Sequence, residues 1–197
     1  MKLYLVRHGE TEWSLSGQHT GRTDIPLTHH GEEEAQQLAS WLKGIAFSAV
    51  WFSPRQRARR TCELAGLGGL GRPEPALAEW DYGEYEGLRS DDIAKKRPGW
   101  NIFRDGCPNG ESPEQIVGRA DQLIARLDAL DGNVALFSHG HFSRVLAVRW
   151  IRLSVIDGQL FSLGTGSLSI LQHDPRHPER RVIALWNAQP AALGHAN

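Results

Sequence analysis

Cysteine is scarce in this chain: Cys62 and Cys107 are the only two in 197 residues, far apart and in no CxxC pair. They supply neither a disulfide framework nor a thiolate zinc site. Charge of one sign is lacking as well. The 22 Lys plus Arg stand against 23 Asp plus Glu, a net charge of −1, without the basic excess usual in general nucleic-acid binding. No apolar run approaches the roughly eighteen residues a membrane span needs, and the first apolar run meets Arg7 too soon for a signal-peptide core. Apolar residues nevertheless recur in nearly every segment, which argues against disorder. The expectation is one cytoplasmic domain over residues 1–197, with no nucleic-acid or membrane partner.

What is present is alternation. Lys2–Val6 reads as a buried strand that ends at Arg7-His8-Gly9. After Thr28, Ala35, Leu38, Ala39 and Leu42 keep helical spacing, with Glu32–Glu34 in the first turns where the helix dipole favours them. Phe47–Phe52 is a second strand. Ser53-Pro54 predicts an N-cap and N1 proline for a helix to about Ala65. Ser112-Pro113-Glu114-Gln115 predicts a capping box ahead of a helix through Leu130. Strand Val134–Phe137 follows, then helical spacing over Phe142, Val145, Leu146, Trp150 and Leu153, then strands Leu168–Leu171 and Val182–Trp186. This alternation predicts a three-layer α/β/α fold with a mainly parallel central sheet. Trp41, Trp51, Trp150 and Trp186 fall in periodic segments and are expected in the core.

Chemistry concentrates at strand ends. Arg7-His8-Gly9-Glu10 and Ser138-His139-Gly140-His141 each follow a strand, and in parallel sheets ligands bind outside the carboxyl ends. A neutral imidazole beside a fixed guanidinium is placed to attack a phosphoryl group. Arg57 lies next to the buried helix face Ala58, Cys62, Ala65, within reach of an anion, whereas Arg55, Arg59 and Arg60 read as a solvated face. Glu79 to Gly87 sets four carboxylates among aromatics. One of them suits acid–base work, and the residues alone do not say which; the other three are expected at the surface. Gly66–Gly71 spells GxGxxG but follows a helix and runs into Arg72-Pro73, so it is read as a plain loop. His139-x-His141 lacks an acidic third ligand at suitable spacing, so no metal is expected. His29-His30 is expected to face solvent.

Together these blocks resemble the histidine phosphatase superfamily, the phosphoglycerate mutase-like proteins. Leu5–Thr11 is similar to the signature around its phosphorylated histidine, and Thr20-Gly21 with Asp24–Thr28 and Gly31 to its substrate-lining loop. Ser53-Pro54 with Arg57-Ala58 and Thr61 resembles its second-arginine motif. Glu79 with Tyr82-Gly83 and Glu86-Gly87 resembles its acid loop, and Ser138-His139-Gly140 its second-histidine loop. The resemblance implies a phosphoglycerate mutase-like fold and a phosphatase without metal or cofactor. In it His8 accepts the phosphate, Arg7, Arg57 and His139 hold phosphoryl oxygens, and Glu79 protonates the leaving oxygen and then activates water. Asp81-Tyr82 stands where many members carry Phe before the glycine.

A narrower resemblance, to sedoheptulose-1,7-bisphosphatase-type members, rests on Gly17–Gly21, Glu79–Gly87, Trp100–Cys107, Asn109-Gly110-Glu111 and His139-Gly140-His141 with Arg144. It implies a small phosphorylated metabolite as partner, a sugar bisphosphate. Ser14, Thr20, Gly21, Tyr82, Arg104, Gly140, His141 and Arg144 would line its site, with Arg104 and Arg144 on the distal phosphate. Only sixty positions separate Glu79 from His139, whereas mutases of the superfamily carry a longer insertion there. Phosphoglycerate mutase and broad-specificity phosphatase are the alternatives, with a catalytically silent phospho-ligand-binding member behind them; assembly into a homo-oligomer is left open.

Overall fold

The computed structural model describes residues 1–189. Among them six strands, β1 (Lys2–Arg7), β2 (Phe47–Phe52), β3 (Gly71–Pro73), β4 (Asn133–Ser138), β5 (Leu168–His173) and β6 (Arg181–Ala188), form one sheet in the order β3-β2-β4-β1-β5-β6. The first four run parallel, and β5 and β6 add an antiparallel hairpin beside β1. The sheet is therefore mixed, with the expected parallel centre. Between and after the strands come α1 (Glu12–Ser16), α2 (His29–Leu42), α3 (Gln56–Cys62), α4 (Ser90–Lys96), α5 (Ile102–Asp105), α6 (Pro113–Asp128) and α7 (Gly140–Trp150).

The period-2 alternation of β1 and β4 builds both layers. Leu3, Leu5, Val134 and Leu136 pack with Ile116, Leu123, Val145 and Trp150 of α6 and α7. Tyr4, Val6, Ala135 and Phe137 pack with Leu38 and Leu42 of α2 and Cys62 of α3. A strand buried on both faces needs an apolar residue at every position, and Leu3–Val6 supplies that run. Each fully buried Leu or Val here is worth about 1.5–3 kcal/mol over exposure. No helix among the described residues is long and apolar enough to cross a membrane.

Of the two caps read from the sequence, the one ahead of α6 is found in place. Thr28 accepts the Gly31 N–H at the start of α2, and Ser112 with Gln115 forms a reciprocal box ahead of Pro113. The third helix departs from expectation. α3 begins at Gln56, its N-cap Arg55 makes no side-chain cap bond, and after Cys62 the chain continues as a π turn that breaks at Gly66, φ 81°. The Ser53 hydroxyl, expected to cap it, lies instead against a histidine described below. α7 ends at Trp150, leaving Leu153 exposed beyond a left-handed Arg152. Of the four tryptophans expected in the core, Trp150 is fully buried, while Trp41, Trp51 and Trp186 are only partly covered at its margins. Gly66–Gly71 carries the chain from that π turn into the three-residue β3 and opens no helix. Both cysteines are free and buried, their thiols pushed up to about 12 chiefly by burial, so they are poor nucleophiles.

Candidate active site

β1 and β4 are neighbours, and their register sets Arg7 opposite Ser138. The His8 N–H donates to the Ser138 carbonyl (3.0 Å), so His8 and His139 leave the sheet side by side, with ring centroids 5.2 Å apart. Gly9 allows the loop after β1 to touch the start of α2: a Cβ there would lie 2.2 Å from the Gly31 carbonyl oxygen. Thr61, on the buried face of α3, accepts the Gly9 N–H at 3.1 Å.

The histidine tautomers follow from these contacts. His8 Nδ1 lies 2.7 Å from its acceptor, the Gly9 carbonyl, so Nδ1 carries the proton and Nε2 keeps a free lone pair. Burial first, then Arg57 and Arg7, hold the His8 pKa well below that of an ordinary imidazole. His139 is similarly depressed by burial, then Arg57. Its Nδ1 accepts from Arg57 Nε (3.2 Å), which leaves the proton on Nε2, 2.7 Å from Ser53 Oγ. Imidazole ¹⁵N NMR at pH 5.5 should therefore show both rings neutral, His8 as the Nδ1–H form and His139 as the Nε2–H form. A protonated ring, or the opposite tautomers, would contradict this electrostatic arrangement.

Arg7 is half-buried, and desolvation lowers its pKa; Nη1 donates to the Leu163 carbonyl, and the enclosed Nε has no partner among the described residues. Arg57 is likewise buried, its pKa brought to about 10 by desolvation. It donates to the carbonyls of Thr23 (3.0 Å) and Thr20 (2.9 Å) besides His139. Arg59 and Arg60 are exposed, as expected, and paired to Glu63 and Glu32. Arg55, expected in solvent with them, is half-buried, and its Nε is enclosed without a partner.

Of the four clustered carboxylates Glu79 is the buried one. Its Oε1 accepts the backbone N–H groups of Trp80 (2.9 Å) and Phe142 (2.8 Å), and Oε2 that of His141 (3.0 Å). Oε1 thus receives two donors and Oε2 one, which leaves a lone pair of Oε2 open. Glu84 is exposed, Asp81 pairs with Arg22, and Glu86 is half-buried: it accepts the N–H groups of Gly21 and Thr23 and holds that loop.

A cavity of about 260 Å³ gathers Arg7, His8, Ser14, Thr20, Glu79, Tyr82, Gly140, His141 and Arg144. Arg57 and His139 lie fully buried beside His8. Two expected lining residues are absent from it. Gly21 turns its N–H to Glu86 and its carbonyl to Arg57, and Arg104 is exposed, bound to Asp105 and the Gly99 carbonyl. Trp13, Gln18, His19, Ser90 and Leu163 join the wall without having been singled out as site residues. His19 stacks on Tyr82 with centroids 4.7 Å apart, its pKa held near 4, lowered to about 4 chiefly by burial. The Tyr82 hydroxyl lies 2.7 Å from His141 Nδ1. Among the described residues no group of three or more His, Cys, Asp or Glu is placed to hold a metal.

A desolvated neutral imidazole, guanidinium donors and a carboxyl around one cavity at parallel strand ends form a site suited to phosphoryl transfer. The chain belongs to the histidine phosphatase superfamily (branch 1), whose family model matches residues 3–189. It is 41% identical to an acid phosphatase of Mycobacterium tuberculosis over 98% of this chain and 97% of that one. It is 38% identical to a sedoheptulose 1,7-bisphosphatase of Saccharomyces cerevisiae over 77% and 68%. Among solved structures, an open reading frame product of Mycobacterium tuberculosis superimposes with a TM-score of 0.90 at 38% identity, covering 96% of this chain and 98% of that one. The α-ribazole phosphatase of Shigella flexneri gives 0.83 at 27%, covering 95% and 96%. The chain is thus a phosphatase of this superfamily.

Proposed function

We propose that this phosphatase works through a phosphohistidine on His8 and takes a sugar bisphosphate, such as sedoheptulose 1,7-bisphosphate, as substrate. The observation that carries the reading is the pairing of a free His8 Nε2 with the buried, unmatched Nε–H of Arg7 in one cavity. A buried donor without an acceptor is costly unless a ligand oxygen meets it. Nε2 attacks phosphorus, the bond to the sugar oxygen breaks, and Glu79 Oε2 delivers its proton to that oxygen. Arg7 and Arg57 stabilise the charge spread over the equatorial oxygens. Glu79 then takes a proton from water, which attacks the phosphohistidine and releases inorganic phosphate with His8 restored. With both ring nitrogens engaged by Arg57 and Ser53, His139 serves this step by steadying Arg57.

Beyond the reacting centre the wall suits a polyol. Burial raises the Tyr82 pKa and lowers that of His141, keeping both neutral. The Tyr82 hydroxyl shares a hydrogen bond with His141 Nδ1; with Tyr82 as its donor, His141 offers an Nε2–H to a sugar hydroxyl in a wall that includes Trp13. Arg144 lines the same cavity. Its Nε is bound to the Gly158 carbonyl (2.8 Å) and its guanidinium lies over Phe103, and neither Nη group has a partner among the described residues. Those groups take the distal phosphate, a role that Arg104, turned to Asp105, does not share. The yeast relative named for this substrate supports the choice.

Arg144→Ala is expected to lower kcat/KM for sugar bisphosphates by one power of ten or more, the worth of about 1.5–3 kcal/mol in charge-assisted hydrogen bonds. Hydrolysis of a small aryl phosphate, which has no second anion, should stay within about twofold. A panel of sugar mono- and bisphosphates measured on both proteins checks this. Equal losses on all substrates would remove Arg144 from the distal site. Indifference of the unmodified enzyme to the second phosphate would favour a broad-specificity phosphatase.

A further inference from the structure

The segment that carries Glu79 is neither helix nor strand beyond a single 3-10 turn at Pro75–Leu77, yet four successive carbonyls on it are bound by side chains. Arg119 Nη1 donates to Ala76 O (3.0 Å) and Ala78 O (2.6 Å), and Nη2 donates to Glu79 O (3.3 Å). Ser138 Oγ donates to Leu77 O (2.8 Å). The remaining Arg119 donors meet Glu111, Nε on Oε1 (2.9 Å) and Nη2 on Oε2 (2.7 Å), so all five N–H groups of this guanidinium are used. Glu111 in turn grips the far side of the acid: its Oε2 accepts the Asp81 N–H, its carbonyl accepts Trp80 Nε1, and its own N–H donates to Asp81 O. The guanidinium also lies 4.4 Å from the centre of the Phe142 ring, and the Phe142 N–H is one of the donors on the Glu79 carboxylate.

We infer that Arg119, oriented by Glu111, is the positioning residue of the general acid. It does not line the cavity that holds His8, and it holds the main chain of Ala76–Glu79 from the opposite side. The planar fork matters because a lysine ammonium has three donors and cannot reproduce two carbonyl contacts on one nitrogen with a bidentate carboxylate pair. Loosening the clamp moves Oε2 relative to the leaving oxygen, and a displacement of about 1 Å at a reacting group costs on the order of a hundredfold. Within phosphorylation the loss therefore grows with the leaving oxygen's need for a proton, and a leaving group that needs none hardly feels it.

The inference rests on Glu79 as the acid, and its test separates the two claims. Single-turnover formation of the phosphoenzyme is measured with an alkyl phosphate, whose leaving oxygen needs protonation, and with p-nitrophenyl phosphate, whose leaving oxygen hardly does. Arg119→Lys and, as a second and milder variant, Glu111→Gln are each expected to slow the alkyl phosphate ten- to a hundredfold and the aryl phosphate less than threefold. Retention of the aryl rate shows that the fold and the His8 centre are intact. In a Glu79→Gln background Arg119→Lys should add no further loss on the alkyl phosphate. Equal losses on both substrates, no loss on either, or additive losses in the double variant would overturn the positioning role. If Glu79→Gln alone shows the leaving-group effect while Arg119→Lys and Glu111→Gln do not, the acid stands and the clamp falls.

Discussion

His8→Ala is expected to lower kcat by about five to six powers of ten, the scale on which loss of a catalytic nucleophile is felt. The argument is chemical. Desolvation and two guanidiniums keep the imidazole neutral, and its proton is pinned on Nδ1 by the Gly9 carbonyl, so the attacking lone pair on Nε2 needs no prior deprotonation. Alanine removes that lone pair and leaves Arg7 and Arg57 able to bind phosphate, so KM should change far less than kcat. The loop should survive, because Gly9 keeps its bond to Thr61 and residue 8 its N–H to Ser138. Steady-state rates on an aryl phosphate, with folding checked by thermal melting, measure the effect. Turnover within tenfold of the unmodified enzyme would mean that another group attacks phosphorus.

Glu79→Gln should produce a loss that depends on the leaving group. For an alkyl phosphate the phosphorylation step is expected to fall about 10²–10⁴-fold, the usual worth of a positioned general acid. For an aryl phosphate the same step should change by less than tenfold. The amide can still accept the Trp80 and Phe142 N–H groups on its oxygen, but its NH₂ then meets the His141 N–H in place of a carboxylate oxygen. Some of the loss on both substrates will reflect that repulsion. The difference between the two substrates is the proton transfer. A loss equal on both would assign Glu79 to structure and return the acid role to Glu84 or Glu86.

The parts of the site that were legible in the sequence are those set by local pattern. The strand before Arg7 and the strand before Ser138 are short apolar runs, and placing both histidines at carboxyl ends followed from reading them as parallel neighbours. Arg57 was reachable because helical spacing put it one step from Ala58, Cys62 and Ala65, and it is fully buried. What stayed hidden depends on contacts between distant residues. Ser53 reads locally as an N-cap, but a histidine 86 positions away takes its hydroxyl, so α3 starts later. Glu86 reads as one solvated carboxylate of four, yet two backbone N–H groups more than sixty residues earlier converge on it. Arg119 sits on a well-patterned helix, and nothing along α6 marks its guanidinium as facing the acid loop 40 residues before it. Arg104 and Arg144 look alike as lone arginines; the neighbouring Asp105 is the one local sign that the first is already paired. α1, α4 and α5, of 5, 7 and 4 residues, are too short for a 3.6-residue period to show.

The central claim is that the phosphoryl group passes through Nε2 of His8, and trapping that intermediate tests it most directly. Glu79→Gln enzyme mixed with an aryl phosphate should be phosphorylated readily and discharged slowly, since the residue that activates water is gone. After an alkaline quench, ³¹P NMR and mass spectrometry of the digested protein locate the phosphate. The account predicts close to one phosphate per chain, stable in base and lost in acid, on Nε2 of His8. A phosphate on Nδ1, on His139 or on a hydroxyl or carboxyl group, or the absence of any phosphoenzyme while aryl alcohol is released, would contradict it.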